Sequence, residues 1–230
     1  PYIVTGDINI AEGMSGETAT LTIQPGVEVR FEQGIGISVS SDSRRFGAIN
    51  AQGTEELPVI FTSNAAVPQA GDWKGIYFGD TTNDSLTILD YCKIEYGGGN
   101  GLGNICFNSS SGIIKNSTIT NSSSSGIHLT SSNPIINNGT FSNNAGYGIY
   151  GSSSLSTITN NNFISNGSYV VSIEANCASG LGINTAVGNI VDGIELRGVE
   201  MGYSTTWPYT TLPYIVTGDI NIAEGMSGET

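Results

Sequence analysis

The sequence has little charge, and positive charge is especially scarce. Charged residues make up 12% of its 230 residues, and 7 Lys and Arg stand against 20 Asp and Glu, for a formal net charge of −13. A protein that binds nucleic acid needs a basic surface to neutralise phosphates. We therefore expect no nucleic-acid partner.

Cysteine is scarce and long apolar runs are missing. Cys92, Cys106 and Cys177 have no CxxC or CxxH spacing, so they indicate neither a metal site nor a redox motif. No apolar run approaches the length of about 20 residues that a membrane span needs, so we expect no span in this segment. The chain starts at Pro1 without a visible signal peptide, and we expect its natural N-terminus to lie further upstream.

Small polar residues and β-branched residues are abundant in place of charged ones. Gly occurs 32 times, and Asn, Ser and Thr are frequent. Helical domains are richer in Glu, Lys, Arg, Ala and Leu. This composition favours an all-β protein with many turns.

The chain contains a long exact repeat. Residues 1–18, PYIVTGDINIAEGMSGET, recur unchanged as residues 213–230, which sets a 212-residue period. Self-similarity of this kind is typical of repeat architectures. The sequence therefore predicts one full unit at 1–212 and the start of an identical unit at 213–230.

A second, 22-residue period runs through the middle of the chain. Three apolar columns follow it: Ile105, Ile127, Ile149 and Val171; Ile114, Ile136 and Ile158; and Ile119, Phe141 and Phe163. Short segments that alternate apolar and polar residues, separated by Gly, Asn and Ser, are typical of strands. Three such segments in each 22-residue cycle predict one coil of a β-solenoid.

Asparagine forms a column of its own. Asn116, Asn138 and Asn160 follow the same 22-residue spacing, each two residues after a core Ile. Asn tolerates the left-handed conformation that a sharp turn needs, and stacked amides can hydrogen-bond from coil to coil. We expect these three side chains to form a buried structural ladder.

These columns resemble the right-handed parallel β-helix repeats of the pectate-lyase-like superfamily, which has an asparagine ladder at its second turn. The flanking stretches are similar to bacterial and archaeal surface proteins of the same fold, in the phrases LTIQPGVEVRF (21–31), INAQGTEELPVIFTS (49–63), GDWKGIYFGD (71–80) and LDYCKIEYGG (89–98). The resemblance covers essentially the whole chain. It implies an all-β, right-handed parallel β-helix, while the functions in that superfamily range from lyases to adhesins.

The less regular parts fit the same architecture. Ile76 and Phe78 should join the column that continues at Ile105 and Phe107, with residues 97–104 as an inserted loop. Near the other end, the core should continue through Ile183, Val187, Ile190, Val191, Ile194 and Leu196. We find no capping helix, so we expect the start of a neighbouring copy to cover the last coil.

No catalytic constellation stands out. The resemblance to lyases implies acidic side chains that hold calcium and a basic side chain that takes a proton. Lys115 has no acid close in sequence or one coil away, and Arg197 lies outside the regular coils. We predict no catalytic residue, no metal ligand and no cofactor; calcium would be compatible with the acidity, but no motif indicates it.

One outward column is a candidate glycan-binding face. It reads Tyr77, Cys106, His128, Tyr150 and Ser172, and the resemblance places it where β-helix enzymes often hold glycans. We single out Tyr77, His128 and Tyr150. The alternative is that tyrosine is simply common in strands and that His128 is an ordinary surface residue.

Six Asn-x-Ser/Thr sequons are present, about the number that this composition gives by chance. Asn116 and Asn138 should be buried in the ladder, which leaves four candidate N-glycosylation sites: Asn83, Asn108, Asn121 and Asn166.

The sequence favours a structural role. We interpret the chain as a tandem-repeat unit of an extracellular or cell-surface filament, stalk or adhesin, without chemistry of its own. Its partners would be neighbouring copies, joined end to end by parallel strand stacking, with surface glycans as a second class of partner. The alternative is a β-helix that binds or cleaves polysaccharide, as a lyase or a hydrolase.

Overall fold

The computed structural model describes residues 1–11, 16–40, 45–201 and 204–222, and almost all its regular structure is parallel β-strand. In the described ranges, helix is confined to two short 3-10 segments, Asp84–Leu86 and Ala175–Gly180. None of these described helices is long and apolar enough to cross a membrane. The all-β prediction is confirmed.

The strands, numbered in chain order, form three long parallel sheets and one short pair. The first sheet contains β1 (Tyr2–Val4), β4 (Glu28–Phe31), β7 (Val59–Ser63), β10 (Cys92–Glu95), β13 (Thr118–Thr120), β16 (Thr140–Ser142), β19 (Asn162–Ile164) and β21 (Thr185–Val187). The second sheet contains β2 (Ile8–Ile10), β5 (Gly36–Val39), β8 (Gly75–Phe78), β11 (Ile105–Asn108), β14 (Ile127–Thr130), β17 (Ile149–Ser152), β20 (Tyr169–Glu174), β22 (Val191–Arg197) and β24 (Tyr214–Val216).

The third sheet contains β3 (Thr18–Ile23), β6 (Phe46–Gln52), β9 (Ile88–Asp90), β12 (Ile113–Lys115), β15 (Ile135–Asn137) and β18 (Thr157–Thr159), while β23 (Val199–Met201) pairs with β25 (Ile220–Ile222). Successive strands of the chain visit the sheets in turn, and each strand pairs with the strand one coil away. This is a parallel β-helix with three strands per coil, as predicted.

The register confirms the 22-residue columns. Ile105, Ile127, Ile149 and Val171 face one another across adjacent strands, as do Ile114, Ile136 and Ile158, and Ile119, Phe141 and Phe163. Equivalent positions in successive coils therefore stack directly, and aromatic rings stack with them. The Phe141 and Phe163 rings have centroids 5.0 Å apart. Phe78 stacks on Phe107 at 4.5 Å, which confirms that the two columns join.

Coil length varies along the chain, and the coils of the N-terminal part are longer than 22 residues, as the pairings of Glu28 with Ile60 and of Gly36 with Gly75 show. Ile94 pairs with Ile119, so this coil is three residues longer and accommodates the loop at 97–104. Near the end, the register shifts between Tyr169 and Val171, and Ser172 pairs with Glu195 at a 23-residue spacing. Equivalent residues after this point no longer follow the 22-residue period.

The core is a continuous apolar column inside the coil. At the C-terminal end it contains fewer residues than the sequence predicts. Ile194 and Leu196 are fully buried, as predicted. Ile183, Val187 and Ile190 are 52%, 59% and 76% exposed, so their assignment to the core is wrong. Val187 is the last residue of β21 and points outward, because a strand presents alternate side chains to opposite faces, while Ile183 precedes β21 and Ile190 precedes β22.

The expected asparagine ladder is displaced by one residue. Asn116, Asn138 and Asn160 do adopt left-handed backbone conformations, with φ of 51°, 55° and 57°. Asn116 is half-buried while Asn138 and Asn160 are exposed, so the expected burial is wrong. One amide rung joins Asn138 to Asn116, at 2.6 Å, and Asn116 in turn donates to the Asp90 carboxylate at 2.8 Å.

The buried amides form two other ladders. In the turn after the first sheet, Asn144 donates to Asn166 at 2.9 Å and Asn166 donates to Asn189 at 2.8 Å. In the turn after the third sheet, Asn161 donates to Asn184 at 3.1 Å. Each amide also bonds backbone groups of neighbouring coils, as Asn166 does with the Phe141 carbonyl. These ladders satisfy turn backbone that no strand pairs.

We expect Asn166→Ala to destabilise the protein by at least about 2 kcal/mol. The change leaves the buried Asn144 N–H and one N–H of the Asn144 side-chain amide without an acceptor, and each orphaned buried group costs about 1–3 kcal/mol. Asn160→Gly is the matched control and should cost less than about 0.5 kcal/mol, since Asn160 is exposed and Gly adopts its positive φ freely. Chemical denaturation measures both; equal losses would contradict the ladder's role.

Candidate functional site

The outward column of the second sheet forms as expected. Tyr77, Cys106, His128, Tyr150 and Ser172 lie on successive strands from β8 to β20, each directly opposite the next. The column therefore runs parallel to the helix axis.

The structure brings only part of this column together. The rings of His128 and Tyr150 have centroids 5.0 Å apart. Tyr77 is separated from His128 by the strand that carries Cys106, and Cys106 is only 4% exposed. The Tyr77 hydroxyl accepts a bond from the Asn108 amide at 2.8 Å. Tyr77 is therefore not in contact with the other two residues.

Two further tyrosines join His128 and Tyr150. Tyr147, just before β17, has its ring centroid 5.4 Å from that of Tyr150 and 6.5 Å from that of Tyr169, at the start of β20. All four rings are half-buried. Sequence analysis missed Tyr147 and Tyr169, although their 22-residue spacing matches the coil period and would have revealed them.

Arg197, in β22, lies against the Tyr150 ring of this group. Its guanidinium carbon lies 4.5 Å from the centroid of the Tyr150 ring, which is a cation–π arrangement. It donates to the Ser172 hydroxyl at 2.6 Å, to the Glu174 carboxylate at 2.9 Å and to the Gly151 carbonyl. We name Arg197 with His128, Tyr147, Tyr150 and Tyr169 the aromatic cluster.

Two carboxylates flank the aromatic cluster. Glu174 accepts bonds from the Ser152 hydroxyl at 3.0 Å and the Ser153 N–H at 2.9 Å. Burial alone would raise the pKa of Glu174, but Arg197 and the Ser153 N–H outweigh it and hold the pKa below its usual value. Glu195 accepts from the Ser172 hydroxyl at 2.6 Å and from Thr217 at 2.9 Å. The cluster thus presents aromatic faces beside hydrogen-bonded charges.

The expectation that Lys115 has no acid nearby is wrong. Its ammonium lies 3.2 Å from the Asp90 carboxylate on the preceding coil. The two residues are separated by a 25-residue coil, so a search at the 22-residue spacing missed the acid.

The Asp90–Lys115 pair lies beside a surface groove of about 390 Å³, lined by Tyr91, Cys92 and Asn138 among others. Burial raises the pKa of the Cys92 thiol to about 12, which keeps this sulfur protonated and unreactive. The groove therefore offers no reactive thiol, and the candidate site is the aromatic cluster.

The sequon residues are placed as follows. Asn166 is 2% exposed in the buried ladder, so its assignment as a glycosylation site is wrong. Asn83, Asn108 and Asn121 are half-buried, and the amides of Asn83 and Asn108 donate to Thr18 and Tyr77. Glycosylation of these three stays a prediction.

Two family models match the chain. The model described as "Right handed beta helix region" matches residues 58–211, and the "Pectate-lyase like beta helix domain" matches residues 1–78. Together they confirm the resemblance and the right-handed coil. No curated protein matches the sequence.

One solved structure aligns over most of the chain. It is the alginate lyase from Paenibacillus sp. str. FPU-7, at 15% sequence identity and a TM-score of 0.36, over 90% of this chain and 96% of that one. At this level of similarity the alignment supports no argument about activity.

The pKa of His128 should lie below the ordinary value of 6.5. Burial lowers this pKa most, and the nearby Arg197 charge lowers it further. The folded protein therefore disfavours the protonated ring, and stability should be lost as the pH falls from 6.5 through the folded pKa. His128 is the single histidine, so its NMR titration is unambiguous. Arg197→Gln should raise the value, and a wild-type pKa at or above 6.5 would refute the arrangement.

Proposed function

The chain belongs to the right-handed β-helix family, and from that premise we propose that it binds glycan chains at the aromatic cluster. The observation that carries the proposal is the group of four half-buried rings on one outward face, with the Arg197 guanidinium against the Tyr150 ring. Binding sites of this kind combine aromatic surface with a few fixed polar groups.

The chemistry of the cluster suits a sugar polymer. A sugar ring offers an apolar C–H face to an aromatic ring and hydroxyl groups to the surrounding charges. Tyrosine provides both an aromatic face and a hydroxyl, and the half-buried Glu174 provides carboxylate oxygens that accept hydrogen bonds. Because the rings come from successive coils, the site extends along the helix axis, which is the direction a long glycan would follow.

Rigidity supports binding as well. Ser172 accepts from Arg197 and donates to Glu195, so the polar groups hold one another before any ligand arrives. A preorganised site loses less entropy when it binds.

Tyr150→Ala should weaken glycan binding about tenfold, since a lost aromatic contact of about 1–1.5 kcal/mol corresponds to that factor. Tyr77→Ala is the matched control: it lies in the same outward column but away from the cluster, and should leave affinity unchanged. Calorimetric titration with soluble β-glucan, mannan and pectate measures both variants. Equal effects of the two substitutions, or no binding to any of the three, would refute the proposal.

The products formed would distinguish polysaccharide cleavage from polysaccharide binding. A hydrolase would release reducing ends from these polysaccharides, and a lyase would release products that absorb ultraviolet light. Either activity, abolished by Glu174→Gln or Arg197→Met, would replace a binding function by an enzymatic one at the same cluster.

A second function is favoured by a different observation. Residues 214–222 repeat the sequence of β1 and β2, and they lie as strands β24 and β25 on the end of the coil. This supports the chain as a repeat unit of a cell-surface or extracellular rod, in which β-helices follow one another and display the glycan-binding faces. The division into a unit at 1–212 and a second start at 213–230 stays a prediction, and residues 223–230 lie outside the described residues.

Tandem copies should form one straight rod. Chains carrying one, two or three copies of the 212-residue unit should increase in length by about 40 Å per copy, because the first sheet has eight strands at about 4.8 Å each. Small-angle X-ray scattering and negative-stain images measure this length. Copies that fold as beads on a flexible string would contradict the rod.

A further inference from the structure

The two copies of the repeated segment form the same strands. Tyr2–Val4 and Ile8–Ile10 are strands β1 and β2 at the start of the chain. Tyr214–Val216 and Ile220–Ile222 are strands β24 and β25, one 212-residue period later. The local conformation therefore belongs to the segment itself, independent of its position.

The two copies have different partners. At the start, β1 pairs with β4 in the first sheet and β2 with β5 in the second sheet. At the end, β24 pairs with β22 in the second sheet and β25 pairs with β23. Among the described strands, the first copy pairs with strands that follow it, and the second copy with strands that precede it.

The backbone groups used in the two copies do not compete. In the first copy, the Val4 and Ile10 carbonyls accept bonds from Glu32 and Ser40 of the next coil, at 3.0 and 2.9 Å. In a strand, alternate residues direct their N–H and C=O groups to opposite edges. The backbone of Ile3 and Asn9 therefore faces the free edge of the first copy.

The second copy uses that opposite set. The Pro213 and Asp219 carbonyls accept from Ile194 and Val199, at 2.9 and 3.0 Å, and the Thr217 N–H donates to the Leu196 carbonyl at 3.1 Å. These residues correspond to positions 1, 7 and 5 of the first copy. One segment can therefore pair with a preceding coil and a following coil at once.

Side-chain burial is complementary in the same way. Ile10 is 7% exposed in the first copy, whereas its equivalent Ile222 is 81% exposed. Conversely, Tyr2 and Ile3 are 69% and 57% exposed, while their equivalents Tyr214 and Ile215 are partly buried. Tyr2, Ile3 and Ile8 help to line an open apolar cavity of about 490 Å³ at the start of the coil. The first copy is covered by the coil that follows it, and the second copy by the coil that precedes it.

We propose that the open start of this β-helix binds the end of a second copy of the same unit, with β1 and β2 in the places that β24 and β25 occupy here. Tyr2, Ile3 and Val4 would then pair with Ile194, Glu195 and Leu196 of the preceding copy, and Ile8 and Ile10 with its Val199 and Met201, in the register of the second copy. This inference rests on the second proposed function, the repeat unit of a rod.

The joint turns each copy relative to the one before. Strand β24 lies in the second sheet but its equivalent β1 lies in the first sheet. The second sheet of one copy therefore continues as the first sheet of the next. With three sheets around the coil, successive copies are turned by about one third of a revolution, and their aromatic clusters point in three directions along the rod.

Ile215→Pro in the full chain tests this joint. The Ile215 amide faces β22, so proline there should release β24 and expose the edge of β22 to the free β1 edge of another molecule. We expect wild type to be monomeric and Ile215→Pro to form linear oligomers that grow with concentration, measured by sedimentation velocity. Circular dichroism checks that the coil stays folded.

The repeat supplies its own matched control. Ile3→Pro changes the identical residue of the first copy, where the amide faces the free edge and the bonds of β1 to β4 remain. Adding Ile3→Pro to Ile215→Pro should restore the monomer. Thr217→Pro removes one hydrogen bond at the end of the same ladder and should give weaker oligomerisation. This variant tests the joint if the Ile215→Pro variant does not fold.

Two outcomes would overturn the joint. The first is that the Ile215→Pro and Thr217→Pro variants are folded but stay monomeric. The second is that the double variant Ile3→Pro with Ile215→Pro oligomerises as much as Ile215→Pro alone. A straight rod from tandem copies together with either outcome would retain the rod function and reject this register, so the two proposals fail separately.

Discussion

The structure depends on the parallel backbone ladder that joins each coil to the next in register. Because equivalent residues lie directly opposite each other, one apolar position becomes a column, such as Ile105, Ile127 and Ile149. The same rule stacks phenylalanine on phenylalanine in the core and aligns polar side chains outside it. A ladder also has two ends, and an unpaired strand edge invites another strand. The core, the outward columns and the behaviour of the ends all follow from this one constraint.

The turns are the places where the ladder stops, and buried amides replace it there. A turn places backbone N–H and C=O groups where no strand can pair them, and burying such groups unpaired is costly. Asn144 and Asn166 bond one another and the backbone of adjacent coils, so they extend coil-to-coil pairing through the turn. Asn is suited to this since its amide donates and accepts at the same time.

The sequence predicted the coil and its columns because the 22-residue period is visible directly in the residues. The charged pairs were missed because they lie in coils that are longer than 22 residues. The Asp90–Lys115 pair spans a 25-residue coil, and the Glu174–Arg197 pair spans a 23-residue coil. The ladder was placed one residue early because a turn needs two neighbouring residues, one with left-handed backbone and one buried. In the pair Asn160-Asn161 both are asparagine, so composition alone cannot assign the two roles.

The aromatic cluster and the end of the coil are physically connected. Arg197 and Glu195 both lie in β22, the strand against which the repeated segment pairs. The Thr217 hydroxyl of that segment donates to Glu195, which accepts from Ser172, which accepts from Arg197 beside Tyr150. Thr217 corresponds to Thr5, so in a rod each copy would complete the polar network of the copy before it. Assembly would then extend the hydrogen-bond network around the aromatic cluster from Thr5 of one copy to Glu195 of the copy before it.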